Sequence, residues 1–148
     1  MKPVIFLRIA SLLTLIHSIL HTVGGVFGKP LPGAASTVYS AMQSNVFLAF
    51  GQQRTYAAFY RGMGLGITIF LTAEAIAFWL LASLAKTDGA RLRPLLAVFC
   101  AAYLVFAVDS YVYFFTGPVV VEILIAACLA CAIVTAKRGN GALSARPA

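Results

Sequence analysis

Four apolar runs, each long enough to cross a bilayer and nearly free of charge, constrain this chain more than any other feature. They cover 4–27, 56–85, 94–115 and 118–136. A helix rises about 1.5 Å per residue, so roughly 20 apolar residues span the ~30 Å of hydrocarbon. With no water there to satisfy peptide groups, single spans of this length must be helices. Composition agrees: 61% of the 148 residues are hydrophobic and 10% charged, against about 45–50% and about 25% in soluble domains. An ordinary soluble domain, a disordered chain and a disulfide scaffold are thereby excluded. The expected fold class is all-α, a four-transmembrane-helix bundle with a short amphipathic interfacial segment between the first two helices. One transmembrane domain is expected over 1–138, with a short cytoplasmic tail over 139–148. The sequence shows no internal repeat.

Eleven Lys/Arg against four Asp/Glu give a net charge of +7. In a soluble chain that surplus would point to nucleic acid or an anionic surface. Here the basic residues sit mainly between and beyond the apolar runs, so they report orientation, and no nucleic acid partner is expected. Lys2, Arg8, Lys86, Arg91, Arg93, Lys137, Arg138 and Arg146 fall on one side, and Lys29, Arg54 and Arg61 towards the other. The positive-inside rule then places both termini in the cytoplasm of a bacterial inner membrane. A cleaved signal peptide is the rival for the first run, but that run is long for an h-region and carries two histidines. Cys100, Cys128 and Cys131 all lie within apolar runs. An odd count gives no disulfide framework, and they are read as reduced.

The first run is two-faced, with Ser11, Thr14, His17, Ser18, His21 and its glycines on one broad side and Leu12, Ile16, Ile19 and Val23 largely on the other. In lipid the polar, small side faces protein. The following link opens with the breaker cluster Lys29-Pro30-Leu31-Pro32-Gly33. Ser36 then stands as an N-cap before Val38, Met42, Val46 and Ala49, a spacing that predicts an amphipathic helix at the outer interface, ended by Gly51. A plain structured loop is the alternative. In the second run, Gly62 and Gly66 form a G-x-x-x-G, read first as an intramolecular packing site and second as a homodimer seam. Thr116-Gly117-Pro118 is the short link expected to make the last two helices an antiparallel hairpin.

The informative side chains are the ionisable ones inside the runs: His17, His21, Arg61, Glu74, Asp109 and Glu122. A charge near the bilayer centre costs about 2.5–3.5 kcal/mol on insertion scales, so such groups are functional candidates by default. Counted along each helix, all but Glu74 fall in the outer half. The sharp expectation is a polar pocket under the interfacial segment that takes a lipophilic or amphipathic small molecule. In it, His17 and His21 carry protons, Asp109 and Glu122 are their carboxylate partners, and Tyr60, Arg61 and Tyr113 contact the ligand. The plainer expectation is that Arg61 pairs with Asp109 or Glu122 to neutralise charge and fix helix register.

His17 and His21, four residues apart on a helix, could share an ion with a carboxylate, but no H-E-x-x-H motif or second histidine pair is present. Neither a metal nor a cofactor is expected. The C-x-x-C of Cys128-Leu129-Ala130-Cys131, with Cys100 at a similar depth, resembles that of vitamin K epoxide reductase, a four-helix membrane oxidoreductase. That family's pair works near the outer face beside a second cysteine pair, whereas this one lies towards the cytoplasm, so the cysteines are read as small buried core residues. Sterol-isomerase-like bundles set His and acidic residues over a lipophilic cavity in a similar layout, without a local motif match.

By whole pattern the chain resembles a group of small bacterial four-helix membrane proteins with no assigned activity. The likeness is carried by the histidine and Gly24-Gly25 end of the first run, by Gly51-Gln52-Gln53-Arg54-Thr55-Tyr56, and by Phe59-Tyr60-Arg61-Gly62-Met63-Gly64-Leu65. It implies the bundle and no catalytic residues. The function expected is a non-enzymatic membrane component that binds a lipophilic small molecule or serves as a subunit of a membrane assembly. The alternative is an isomerase- or cyclase-like enzyme acting on a lipid-soluble substrate by acid/base chemistry. The lipid bilayer, a lipophilic molecule and a second copy or larger membrane complex are the expected partners.

Overall fold

The computed structural model describes residues 2–136, so the 139–148 tail, with Lys137 and Arg138, lies outside the described residues. Helix α1 (Lys2–Leu20) continues into a π-helical stretch, His21–Val26. Then come α2 (Ala34–Ser44), strands β1 (Val46–Ala49) and β2 (Gln52–Thr55), α3 (Tyr56–Asp88), a 3-10 turn (Gly89–Leu92), α4 (Arg93–Tyr113) and α5 (Thr116–Thr135). Three continuous helical stretches are long and apolar enough to cross a membrane: Lys2–Val26, Tyr56–Tyr113 and Thr116–Thr135. Polarity in α1 is inverted relative to a soluble helix. Ser11, Thr14, His17 and Ser18 are buried, while Ile5, Ile9, Leu12, Ile16 and Ile19 are exposed. Lipid accounts for this, because apolar side chains gain nothing by leaving it and polar ones do. The apolar helices mark a membrane-associated, multi-pass protein.

The chain divides into two compact units, one comprising Ser18–Leu71 and the other the remainder. In the larger unit, Phe78 of α3 is fully buried, edge-on to Phe99 at 5.1 Å and tilted against Tyr103 at 6.2 Å. Buried alanines at 10, 82, 126 and 132 let backbones approach around it. Ser11 Oγ donates to the carbonyl of Ala75 at 2.6 Å, and the Arg8 guanidinium lies 3.4 Å over the Trp79 ring. Helices α4 and α5 form the expected antiparallel hairpin, tied at successive levels. Arg93 donates to the Ala136 carbonyl, Cys100 Sγ to that of Ala126 at 3.4 Å, and Ser110 Oγ to Glu122 Oε1 at 2.9 Å. The link itself is Phe114-Phe115 instead of Thr116-Gly117-Pro118. Pro118 falls in the first turn of α5, where the N–H it lacks would have had no helical partner. Cys128 is half-buried against the core, whereas Cys131 is exposed, which corrects the buried-core reading for Cys131. On an apolar helix in lipid, a thiol is tolerated on the outer face.

The smaller unit departs further from expectation. Gly33, at φ +97°, caps α2, a backbone conformation that suits glycine. Ser36 therefore lies within the first turn and donates to the Gly33 carbonyl at 2.8 Å instead of capping. The helix stops at Ser44, not Gly51. Beyond it, Val46–Ala49 and Gln52–Thr55 pair antiparallel, with Val46 opposite Thr55 and Ala49 opposite Gln52. Phe50 and Gly51 turn the hairpin with φ of +47° and +82°, the left-handed pair that matches strand twist in a two-residue loop. Phe47 packs on Tyr56 at 4.7 Å and edge-on to Phe59 at 5.4 Å, which favours the strand.

Gly62 and Gly66 also change role. Among the described residues, a Cβ at either would meet nothing within 4 Å, so the helix packing seen there does not use them. Gly64, the glycine between them, makes the close approach: a Cβ there would stand 2.9 Å from Val26 Cγ2. Gly64 also accepts a hydrogen bond through its carbonyl from His21 Nε2 at 3.1 Å.

Candidate functional site

Two polar sites stand out, one in each unit. In the larger unit, α1 presents Thr14 and His17 one turn apart, α4 presents Tyr103, Phe106 and Ser110 at near-helical spacing, and α5 supplies Glu122. Glu122 is fully buried and His17 is 7% exposed. His17 Nε2 lies 3.9 Å from Glu122 Oε1, the oxygen that also accepts from Ser110. That separation is too long for a hydrogen bond, so the pair is electrostatic. Glu122 Oε2 is buried and has no hydrogen-bond partner among the described residues. The His17 ring stacks against Phe106 with centroids 6.2 Å apart. Nearby in the same unit, Tyr103 Oη donates to Glu74 Oε2 at 2.7 Å, and Thr14 Oγ1 stands 3.3 Å from that hydroxyl.

Chemically, His17 and Glu122 can hold one proton between them, on the ring as an ion pair or on the carboxyl as two neutral groups. Both arrangements leave no net charge buried, which is the condition for carrying titratable groups at this depth. Asp109, next to buried Ser110, is exposed and is in neither of the ion pairs found among the described residues, His17–Glu122 and Asp88–Arg91. Tyr113 is exposed near the end of α4. No group of three or more His, Cys, Asp or Glu among the described residues is arranged to hold a metal ion.

In the smaller unit, the end of α1 and the start of α3 are joined by side chains of middling polarity. Thr22 Oγ1 donates to the Ser18 carbonyl at 2.6 Å and lies 2.9 Å from Thr68 Oγ1, and Ser18 Oγ donates to the Thr68 carbonyl at 3.2 Å. His21, donating to the Gly64 carbonyl, belongs to this seam. Its engaged Nε2 carries the proton in that geometry.

Against this seam opens a cleft of about 260 Å³ lined by the π-helical end and the loop after it (Gly24, Gly25, Val26, Gly28, Lys29, Pro30), by Tyr39 and Met42 of α2, and by Ala57, Tyr60 and Arg61 of α3. Arg61 Nη2 donates to Tyr39 Oη at 2.9 Å, so a hydroxyl stands where a carboxylate partner was expected. A wider cleft, about 500 Å³, runs between the hairpin and α3 and carries a single cation, Arg54, whose Nη1 donates to the Gln53 carbonyl at 2.7 Å.

The structure thus brings His17 together with Glu122, and separately places Tyr60 and Arg61 on one cleft under α2. Sequence reasoning missed Lys29, Tyr39 and Met42 as cleft residues and Ser110 as the donor to Glu122. Met42 was legible as part of the apolar stripe of α2, and Tyr39 stands three residues before it, on the same helix face. Lys29 was read for topology alone. The chain matches no protein-family model, and neither curated proteins nor solved structures show a match to it.

Proposed function

We propose that this chain is a four-span inner-membrane protein that binds a lipophilic small molecule in the cleft between the end of α1, α2 and the start of α3, alone or as a subunit of a larger membrane assembly. The observation that carries the reading is the lining of that cleft. Val26, Pro30, Met42 and Ala57 give it apolar walls, and Tyr39, Tyr60, Arg61 and Lys29 add a few convergent polar groups. That mixture is what small-molecule sites use, with apolar surface for affinity and sparse polar groups for orientation. The four-span reading rests on the break between α3 and α4. The 3-10 turn lies among Lys86, Asp88, Arg91 and Arg93, charges that favour water over hydrocarbon. The distribution of Lys and Arg supports cytoplasmic termini and an outer position for the cleft.

Native mass spectrometry of the protein released from mild detergent tests the binding reading. A stoichiometric adduct on wild type that is lost from Tyr60→Ala supports it; a bare chain, or the same adducts on both, overturns it.

The His17–Glu122 pair favours a second reading, acid/base catalysis on a lipid-soluble substrate. Under that reading His17→Gln retains the fold and abolishes turnover. A variant that fails to assemble assigns the pair to holding the helices together.

A further inference from the structure

We infer that the molecule taken by the cleft under α2 is an anionic amphiphile whose phosphate or carboxylate head is bound by Lys29 and Arg61; this deepens the ligand-binding reading above and rests on it. Residues 18–71 contain Lys29, Arg54 and Arg61 and no Asp or Glu at all. Two of these three cations line the same small cleft, and no carboxylate within the unit answers them. Arg61 is oriented by Tyr39, not neutralised by it. One N–H of the guanidinium goes to the hydroxyl oxygen, leaving the remaining donors of the fork for a ligand, and Tyr39 keeps its own O–H to donate. Tyr60 adds a second hydroxyl on the cleft wall.

Helix ends alone do not explain the two cations. The carbonyl end of α1 and its π-helical extension, at Gly24–Val26, carries roughly half a negative charge and favours a nearby Lys or Arg. The start of α3, which contributes Ala57, Tyr60 and Arg61, carries about half a positive charge, so the two ends nearly cancel. Two full cations are left over. Carboxylates and phosphates, each with two oxygens to accept, are the groups that an Arg fork binds bidentately, and a Lys ammonium adds a point charge beside it.

Size then selects the ligand's shape. At about 260 Å³ the cleft is smaller than the roughly 300 Å³ of the least drug-sized pockets. It takes a head group and its first carbons, and leaves a longer chain outside. Phe27 and Leu31, next in the chain to the lining residues Val26, Gly28 and Pro30, are exposed and offer apolar surface for that chain.

The test uses the full chain in an uncharged detergent, titrated in native mass spectrometry with phosphatidylglycerol and with phosphatidylcholine of identical acyl chains. The expected result is one bound phosphatidylglycerol at about tenfold lower concentration than phosphatidylcholine, with that preference lost in Lys29→Gln and Arg61→Gln and kept in Arg61→Lys. Equal binding of the two lipids, both lost in Tyr60→Ala, leaves the cleft a lipophilic site and overturns the anion. Binding of neither lipid and of no other adduct overturns the ligand-binding reading itself. A parallel arm adds inorganic phosphate alone: saturation by phosphate without lipid binding overturns the amphiphile in favour of a free anion. Lys29 is exposed and makes no side-chain hydrogen bond among the described residues, so its variant separates lost binding from lost folding.

Discussion

Arg61 of α3 donates to the hydroxyl of Tyr39 in α2 at 2.9 Å, tying the interfacial helix to the start of the long helix and orienting a guanidinium on the wall of the cleft. Few other contacts hold α2, none of whose residues is buried. Tyr39→Phe removes the tie while leaving the ring. Amide hydrogen exchange across Ala34–Ser44 is expected to speed up in this variant, with exchange in α4 and α5 unchanged, because local opening follows from losing the few contacts that hold a segment. Unchanged exchange in α2 would mean that the tie carries no load.

In the larger unit, Glu122 accepts from Ser110 and faces His17, all three buried. Glu122→Leu removes the acceptor of the Ser110 hydroxyl and the carboxylate that faces His17, and is expected to cost about 3–5 kcal/mol, the range for breaking a buried pair from one side. Ser110→Ala removes one hydrogen bond to a buried oxygen and is expected to cost about 1–3 kcal/mol. Reversible unfolding in mixed micelles measures both. Equal small losses would show that the network does not hold the hairpin together.

Gly64 and Gly62 give opposite expectations for the same substitution. Gly64→Ala places a methyl 2.9 Å from Val26 Cγ2, an overpacking expected to cost about 1–3 kcal/mol. Gly62→Ala enters open space and replaces a poor helix former by a good one, with an expected gain of up to about 1 kcal/mol. Thermal melts of the two single variants against wild type distinguish them by sign.

Orientation is testable by labelling. With Cys100, Cys128 and Cys131 replaced by Ala, Ser40→Cys is expected to react with a membrane-impermeant maleimide on intact cells, and Thr87→Cys only after lysis. Both side chains are exposed. The reverse pattern would invert the orientation drawn from the basic residues.

The long helices were legible because length and apolarity are written along the chain; the observed helices begin and end within a few residues of those runs, with α3 and α4 joined in one continuous helical stretch. The hairpin was not. Val46-Phe47-Leu48-Ala49 fits a helical stripe and an alternating strand equally well, and what decides between them is Phe47 packing on Tyr56 and Phe59. The G-x-x-x-G was legible as a motif but misleading as a contact, since rotation about α3 brings Gly64 against Val26 and leaves Gly62 and Gly66 open. For the sites, polar residues in apolar runs pointed to His17 and Glu122. The hydroxyl partner of Arg61 depends on how α2 folds back on α3, and no local spacing encodes that.

The central claim is that the cleft under α2 holds a lipophilic molecule, and peptide-resolved photolabelling tests it most directly. The protein is irradiated in membranes containing trace amounts of a photoactivatable anionic lipid, digested and sequenced by mass spectrometry. Labels concentrated at Gly24–Pro30, Tyr39–Met42 and Ala57–Arg61, and displaced by excess unmodified anionic lipid, are the predicted result. Labels spread over exposed apolar side chains such as Ile69, Val105 and Val134, with none at the cleft and no displacement, would contradict it.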